Sequence, residues 1–286
     1  MKNSLLIFII LLFCFTLCYL ASENTIVYLG YPLIYQIFIL TFLVQFIVFL
    51  PSYYYQTEHY YDLTGGLTFI SVILFSLYAK YITLGLDLRS TIIGLMIIIW
   101  ALRLSSFLFL RVKKVGEDIR FKEIKKSFSR FLIAFTLQGF WVFMCTFPAL
   151  IVLTSSNFDP DIFLIFGSIL WLFGFLYEVI ADKQKSNFNI KNKGKFISSG
   201  LWSLSRHPNY FGEITLWTGI TIISITVLSG FQYLALLTPF FIYRLLNNIS
   251  GVNFLEDIGN KRWGSEKEYQ TYIKETPKFF PKIFNF

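Results

Sequence analysis

Residues 201–213 read LWSLSRHPNYFGE, a dense polar and aromatic cluster with apolar segments long enough to span a membrane on either side. In lipid an unpaired polar group costs on the order of several kcal/mol, so this cluster needs partners or a water-filled site opening to one face of the bilayer. Pro208 holds His207 extended and stops any helix from running through that point. Arg206 can grip a phosphate or carboxylate through two parallel bonds, which a lysine cannot. His207 can hydrogen-bond or titrate near neutral pH. An interfacial belt of Trp and Tyr around a proline turn would look similar, but it leaves Glu213, one turn into the next apolar segment, unexplained.

The rest of the chain supports the membrane reading. Its 286 residues are 55% hydrophobic and 15% charged, where a soluble domain carries about 25% charged residues. The apolar residues fall in eight blocks, at 5–20, 32–50, 67–86, 91–110, 131–153, 162–181, 214–228 and 231–249. Most approach the roughly 20 residues that cross a hydrocarbon core. We expect an all-α, polytopic membrane protein of about eight transmembrane helices, with a cytosolic polar loop and an amphipathic C-terminal tail. Block 5–20 follows Lys2 like the core of a signal peptide, but CYLASEN is a poor cleavage site, so a retained signal-anchor helix is expected. Pro51 is expected to end the second span, and the basic stretch 111–130 to form an interfacial amphipathic helix. That stretch divides the chain into 1–130, an N-terminal transmembrane half, and 131–286, which carries the dense polar motifs.

The basic excess, 25 Lys+Arg against 17 Asp+Glu, sits in a few loops and so does not point to nucleic acid. With eight spans, the tails and the loops on their side hold Lys2, eight basic residues at 111–130, six at 182–212 and six at 250–286, whereas the opposite loops hold Arg89 alone. Positive loops stay inside. Both termini are therefore expected in the cytosol, with the 51–66 loop; the membrane would be the endoplasmic reticulum in a eukaryote or the inner membrane in a bacterium. Cys14, Cys18 and Cys145 lie in apolar blocks without a CxxC pair, and are expected to be small buried hydrophobes. His59 and His207 are far apart, so no metal site is expected.

Upstream of the opening cluster, Glu178, Asp182 and Lys185 are spaced i, i+4, i+7 and share one helical face. Inside a span a carboxylate costs about 3 kcal/mol and ordinarily faces a partner or a cavity. The face is either a ligand anchor, with Lys185 free to meet phosphate, or a helix-end ion pair of Asp182 with Lys185. Next, NIKNKGKFISSG at 189–200 alternates Lys191, Lys193 and Lys195 around Gly194. It can clamp a diphosphate or attract anionic lipid, and it matches neither GxGxxG nor the nucleotide P-loop. In the tail, Glu256 can pair with Arg262 or with a ligand hydroxyl, and Tyr269 and Tyr272 share a helical face.

Together YDLTGG (61–66), WALRLSSFLFLR (100–111), GED-R (116–120), EVIADKQKSNF (178–188), GLWSLSRHPNYFGEITLW (200–217), SGVNFLE (250–256) and the tail 269–281 resemble the steroid 5-alpha-reductase C-terminal superfamily, in an uncharacterised branch. That group includes sterol reductases and, more distantly, isoprenylcysteine carboxyl methyltransferase. RHPNYFGE with the upstream DKQK is the specific part. The resemblance implies a membrane-embedded oxidoreductase that takes NADPH from the cytosol. It would reduce a C=C bond in a lipophilic steroid-, sterol- or fatty-enone-like substrate, in lipid metabolism. It implies a cofactor site of Asp182, Lys185, Lys195, Trp202, Ser205, Arg206, His207, Asn209, Tyr210, Glu256 and Tyr269, with Glu213 facing the substrate.

Steroid reductases polarise the ketone with a Tyr in a His-Tyr-x-x-Arg segment. Around Arg103 this chain reads WALR, so Tyr60, Tyr61 and Asp62 are the candidates for that Tyr's place, and Glu213, Tyr61 and Asp62 form the expected catalytic set. The methyltransferase branch shares RHPxY and the tail Glu, which makes S-adenosylmethionine the alternative ligand. That ligand carries no phosphate, so Lys185, Lys193, Lys195 and Arg206 favour NADPH. A non-catalytic lipid-binding protein of the same fold is a third reading. Neither an inverted repeat nor paired broken helices point to transport.

Overall fold

A computed structural model describes residues 2–116, 118–248 and 251–282. Glu117 of the GED-R motif, Ser250 of SGVNFLE and the end of the tail lie outside the described residues. The fold is all-α: α1 (Lys2–Ala21), α2 (Leu33–Tyr54), α3 (Tyr61–Leu84), α4 (Leu88–Val115), α5 (Phe128–Thr154), α6 (Ile162–Lys191), α7 (Pro208–Ser224), α8 (Thr238–Asn248), α9 (Val252–Trp263) and α10 (Lys267–Glu275). Among the described residues strands occur only in the short hairpin of β1 (Val27–Tyr28) and β2 (Tyr31–Pro32). Among the described residues seven segments, α1 to α6 and α7 with the turn that follows it, are long and apolar enough to cross a membrane. The chain is a multi-pass integral membrane protein.

The eighth apolar block is not one α-helix. It is a 3-10 helix, Gly230–Leu237, that runs into α8. Pro239 explains the change: it has no N–H for the carbonyl of Ala235, and its ring excludes that carbonyl. At about 2.0 and 1.5 Å per residue for the two helix types, the composite still has a contour of roughly 30 Å, the thickness of a hydrocarbon core. Pro51 does not end the second span either; it lies in the last turn of α2, which continues to Tyr54. The amphipathic helix expected at 111–130 is absent. Instead α4 continues to Val115, where Gly116 turns out with φ +96, and a 3-10 turn at Ile119–Phe121 precedes α5. A positive φ is cheap only for glycine, so that residue sets the end of α4. Both flanking motifs open helices: YDLTGG starts α3, and Pro208 is the first residue of α7, where its missing N–H costs nothing.

Contacts divide the chain into two compact units, Met1–Leu164 with Ile223–Leu236, and Ile165–Ile222 with Leu237–Phe286. These differ from the charge-based halves at residue 130, because α5 packs against α1, α2, α3 and α4 and so belongs with them. In the first unit α5 is the core helix: 78% of its most apolar window is buried, against 28% for α1, whose outer face is left to lipid. A helix apolar all round is buried on all sides. The cysteines are free and buried, as expected.

The loops of the first unit sort to two ends. At one, Ile26 N donates to Thr154 O (2.6 Å), Asn157 Nδ2 to Leu84 O (3.2 Å) and Gln232 Nε2 to Glu23 O (3.0 Å). At the other, Asn3 Nδ2 donates to Ser129 Oγ (2.9 Å), His59 Nε2 to Gly116 O (2.8 Å) and Lys125 Nζ to Glu58 Oε2 (2.6 Å). The first group holds the connections expected outside and the second those expected inside. Lys80 and Arg89 at the first end are completely buried, and Asp87 (3.0 Å) and Asp161 (2.9 Å) meet their charges.

Glu58 fastens the second end. Its carboxylate takes Lys125 on one oxygen and the Asp118 N–H (3.1 Å) on the other, while the Asp118 side chain grips Arg120. Burial pushes the Glu58 carboxyl up, but the Lys125 and Asp118 bonds outweigh it and hold it below the ordinary glutamate value. A carboxyl whose folded pKa is depressed contributes stability above its unfolded pKa, and loses it as pH falls through the folded one. Unfolding temperatures taken from about pH 7 down to about pH 3 should therefore fall in the acid limb, and fall less steeply in Glu58→Gln. An unchanged acid limb in that variant would contradict the assignment.

Candidate functional site

The second unit is built on a backbone-to-backbone contact between α6 and α7. A Cβ on Gly174 would lie 2.5 Å from Leu216 N, one on Gly212 would lie 2.7 Å from Glu178 N, and one on Gly219 would lie 2.6 Å from Gly167 O. The pairing of 167 with 219 and of 174 with 212 makes the helices antiparallel. Close approach through small residues is how membrane helices gain packing without a hydrophobic drive. It also sets Glu178 and Glu213, 2% and 7% exposed, on facing helices either side of the Gly212 contact.

One turn further along α6 the polar cluster begins. Asn209 Nδ2 donates to Asp182 Oδ1 (3.2 Å), and Trp202 Nε1 donates to Ala181 O (3.0 Å). The Lys185 ammonium stands 4.5 Å above the Trp202 ring. Gln184 Oε1 accepts from Leu201 N (2.9 Å), and Gly200, at φ +63, leaves the room that the Gln184 side chain fills. The stretch 201–209 is thus laid against the last turns of α6 by main-chain and side-chain bonds alike.

The C-terminal tail then covers it. Arg206 N donates to Pro277 O (2.9 Å), His207 N to Lys278 O (3.1 Å), Ser205 Oγ to Phe279 O (2.8 Å) and Lys282 N to Leu204 O (3.0 Å). From α9, Glu256 reaches the same point: Oε1 lies 2.8 Å from Arg206 and 3.2 Å from His207 Nε2, and Oε2 lies 3.8 Å from Lys278. Arg262, the partner considered from sequence, is exposed instead.

Burial, then His207, Arg206 and Lys278, act on Glu256; the partners outweigh the burial and hold its carboxyl below the ordinary value. Burial first, with Lys185 and Arg206 in support, pushes the His207 imidazole down against the pull of Glu256. An ionised Glu256 beside a neutral imidazole means that Nε2 carries the proton and donates it, leaving Nδ1 as an acceptor. The ring stacks on Tyr210 at 5.7 Å.

Of the cofactor residues expected from sequence, Asp182, Lys185, Trp202, Ser205, Arg206, His207, Asn209, Tyr210 and Glu256 are brought together here. Trp202 and Ser205 spend their polar atoms on the protein chain. Tyr269 is buried beneath, in an aromatic cluster with Phe196 (5.1 Å) and Trp263 (5.7 Å), while Tyr272 donates to Trp202 O (2.8 Å). Lys195 is exposed on the turn after α6. Sequence reasoning missed Lys278, Gln184 and the glycine contact. A signal for the last was present: glycines seven residues apart in both spans, 167 with 174 and 212 with 219.

Tyr61 and Asp62 belong to the first unit, on the first turn of α3. The Tyr61 hydroxyl donates to Ala134 O (2.9 Å), and its ring packs on Phe121 (4.6 Å) and Phe135 (5.3 Å). Asp62 lies within the electrostatic reach of Arg120 and Arg111. No group of His, Cys, Asp and Glu among the described residues is placed to hold a metal.

A family model described as "Protein of unknown function (DUF1295)" matches residues 48–276. The chain belongs to the DUF1295 family. The matched region takes in every candidate residue named above except those of the tail after α10. No curated protein and no solved structure matched this DUF1295 chain.

Proposed function

We propose that this DUF1295 protein is a membrane-embedded, NADPH-dependent reductase of a C=C bond in a lipophilic enone, a steroid-, sterol- or fatty-acyl-like compound. One observation carries the reading: three cations from separate segments, Lys185, Arg206 and Lys278, gather around two carboxylates, the buried Asp182 and the half-buried Glu256. Phosphates call for the cations and ribose hydroxyls for the carboxylates. The fit has a specific test within the fold, since Arg206 Nε is buried without a hydrogen-bond partner among the described residues and is a donor still to be used. Bound NADPH would supply a hydride. Arg206, Lys185 and Lys278 would hold its phosphates, and Asp182, Asn209 and Glu256 its hydroxyls, while His207 would offer Nδ1 as an acceptor. Glu213, at membrane depth on α7, is the acid we assign to the substrate side. S-adenosylmethionine has no phosphate to engage the three cations, so the methyltransferase reading uses the site less fully.

The orientation belongs to the same proposal: the end holding residues 55–60 and 118–127 faces the cytosol, and so do both termini. Arg206→Ala should weaken NADPH binding by roughly tenfold to a hundredfold, the worth of a charge-assisted bond to phosphate. Quenching or shift of NADPH fluorescence on titration measures it. Binding that is unaltered in this variant would remove Arg206 from the site.

A further inference from the structure

The cluster around Arg206 already holds an anion, and that anion is one of the protein's own groups. Glu256 Oε1 accepts from Arg206 (2.8 Å) and from His207 Nε2 (3.2 Å), while Oε2 faces the Lys278 ammonium at 3.8 Å. A carboxylate and a phosphate ask for the same donors, so the two compete for Arg206. Glu256 also cancels one of the two positive charges that Arg206 and Lys278 bring. The group is not sealed in. The side chains of Arg206, Glu256 and Lys278 keep 17%, 24% and 28% of their surface exposed, so an incoming anion reaches them from outside.

The helix that brings Glu256 is held closely, while the side chain itself has room to turn. A Cβ on Gly251, just before α9, would lie 3.1 Å from the Tyr210 hydroxyl, and one on Gly259 would collide with the Tyr269 hydroxyl. Lys278 Nζ donates to Asn253 Oδ1 (3.2 Å), one turn before Glu256. The route by which Glu256 leaves Arg206 is therefore rotation of its own side chain. A ligand that brings phosphate charge alone puts like charge beside Glu256, a repulsion that grows as water is excluded. A ligand with neutral hydroxyls next to its phosphate offers the displaced carboxylate new donors instead.

We propose that Glu256 sets the ligand specificity of this site: it holds Arg206 against anions that bring charge alone, and releases it to a ligand whose phosphate is accompanied by hydroxyl groups. The inference rests on the reading of the cluster as a phosphate site, and gives Glu256 a second task beside the hydroxyl contact assigned above.

Calorimetric titration of the purified full chain in detergent, with inorganic pyrophosphate and separately with NADPH, tests it. Glu256→Gln keeps the shape and a neutral acceptor but removes the charge. Pyrophosphate should bind this variant roughly tenfold more tightly than the wild type, because its charge-assisted bond to Arg206 is no longer contested. NADPH should bind it no more tightly, since the hydroxyl contact weakens as the competition is relieved. Pyrophosphate affinity unchanged in Glu256→Gln, or NADPH affinity raised by the same factor, would overturn the proposal. Glu256→Asp keeps the charge among the cations but draws the carboxylate back by one carbon. It should show the pyrophosphate gain in smaller measure, and it decides the matter where the Gln variant does not fold. Failure of the wild type to bind NADPH, with pyrophosphate still tightened by Glu256→Gln, would remove the cofactor reading and leave the guarded anion site standing.

Discussion

Gly212→Val is expected to leave little or no folded protein. The position has no room in any direction that matters: a Cβ there would lie 2.7 Å from both Glu178 N and Gly174 O, and these are backbone atoms of a helix that cannot yield locally. Interiors are packed as densely as organic crystals, so the added methyls must push α6 and α7 apart along their whole contact. Overpacking alone costs up to about 3 kcal/mol, and separating the helices also loses the contacts at Gly174 and Gly219. We expect a fall in unfolding temperature of at least about 10 °C, or a loss of recoverable protein in detergent. Gly194→Ala is the control: that glycine has φ +83 and nothing within 4 Å, so the change should cost only about 1 kcal/mol of backbone strain. Equal behaviour of the two variants would refute the close approach of α6 and α7.

Lys80→Met should destabilise the first unit by about 3–5 kcal/mol, the cost of breaking a buried ion pair from one side. The ammonium, with no exposed surface, bonds Asp87 Oδ2 (3.0 Å), Ser90 Oγ (2.8 Å) and Val152 O (3.0 Å), and so ties the α3–α4 turn to the core helix α5. Methionine fills similar volume and leaves all three acceptors bare. Asp87 keeps its bonds to Ser90, the N–H at 2.6 Å among them, because it also caps α4. Adding Asp87→Asn should restore part of the loss, since a neutral amide can stay at the cap without its cation. A chemical or thermal unfolding series on the single and double variants measures both numbers. A loss under about 1 kcal/mol in Lys80→Met would mean that the pair is solvated and not buried.

The parts of this fold that follow from local rules were legible in the sequence. Hydropathy gave the membrane class, and the i, i+4, i+7 spacing gave the shared face of Glu178, Asp182 and Lys185, all on the single helix α6. Pro208 marks the start of the site, because it both stops any helix through His207 and opens α7.

Legibility failed where distant segments decide the outcome. Basic residues at 111–130 have a helical rhythm, but Gly116 and the reach of Glu58 to Lys125 and Asp118 make the segment a pinned loop. Glu256 was free to choose between Arg262, close in sequence, and a partner elsewhere; folding gave it Arg206 and His207. Pro239 was visible as a residue, but its effect on the last apolar block depends on where the helix begins, which hydropathy does not fix. The tail strap from Pro277 to Lys282 rests mostly on main-chain bonds, with Ser205 Oγ as the side-chain contribution, and main-chain bonds leave no mark on side-chain pattern.

In the proposed function the cations of the second unit serve a phosphate-bearing cofactor. Native mass spectrometry of the intact protein, offered NADPH and S-adenosylmethionine together, tests it most directly. We expect one NADPH per chain, with S-adenosylmethionine absent from the complex and the NADPH adduct reduced in Arg206→Ala. Retention of S-adenosylmethionine and exclusion of NADPH would contradict the account.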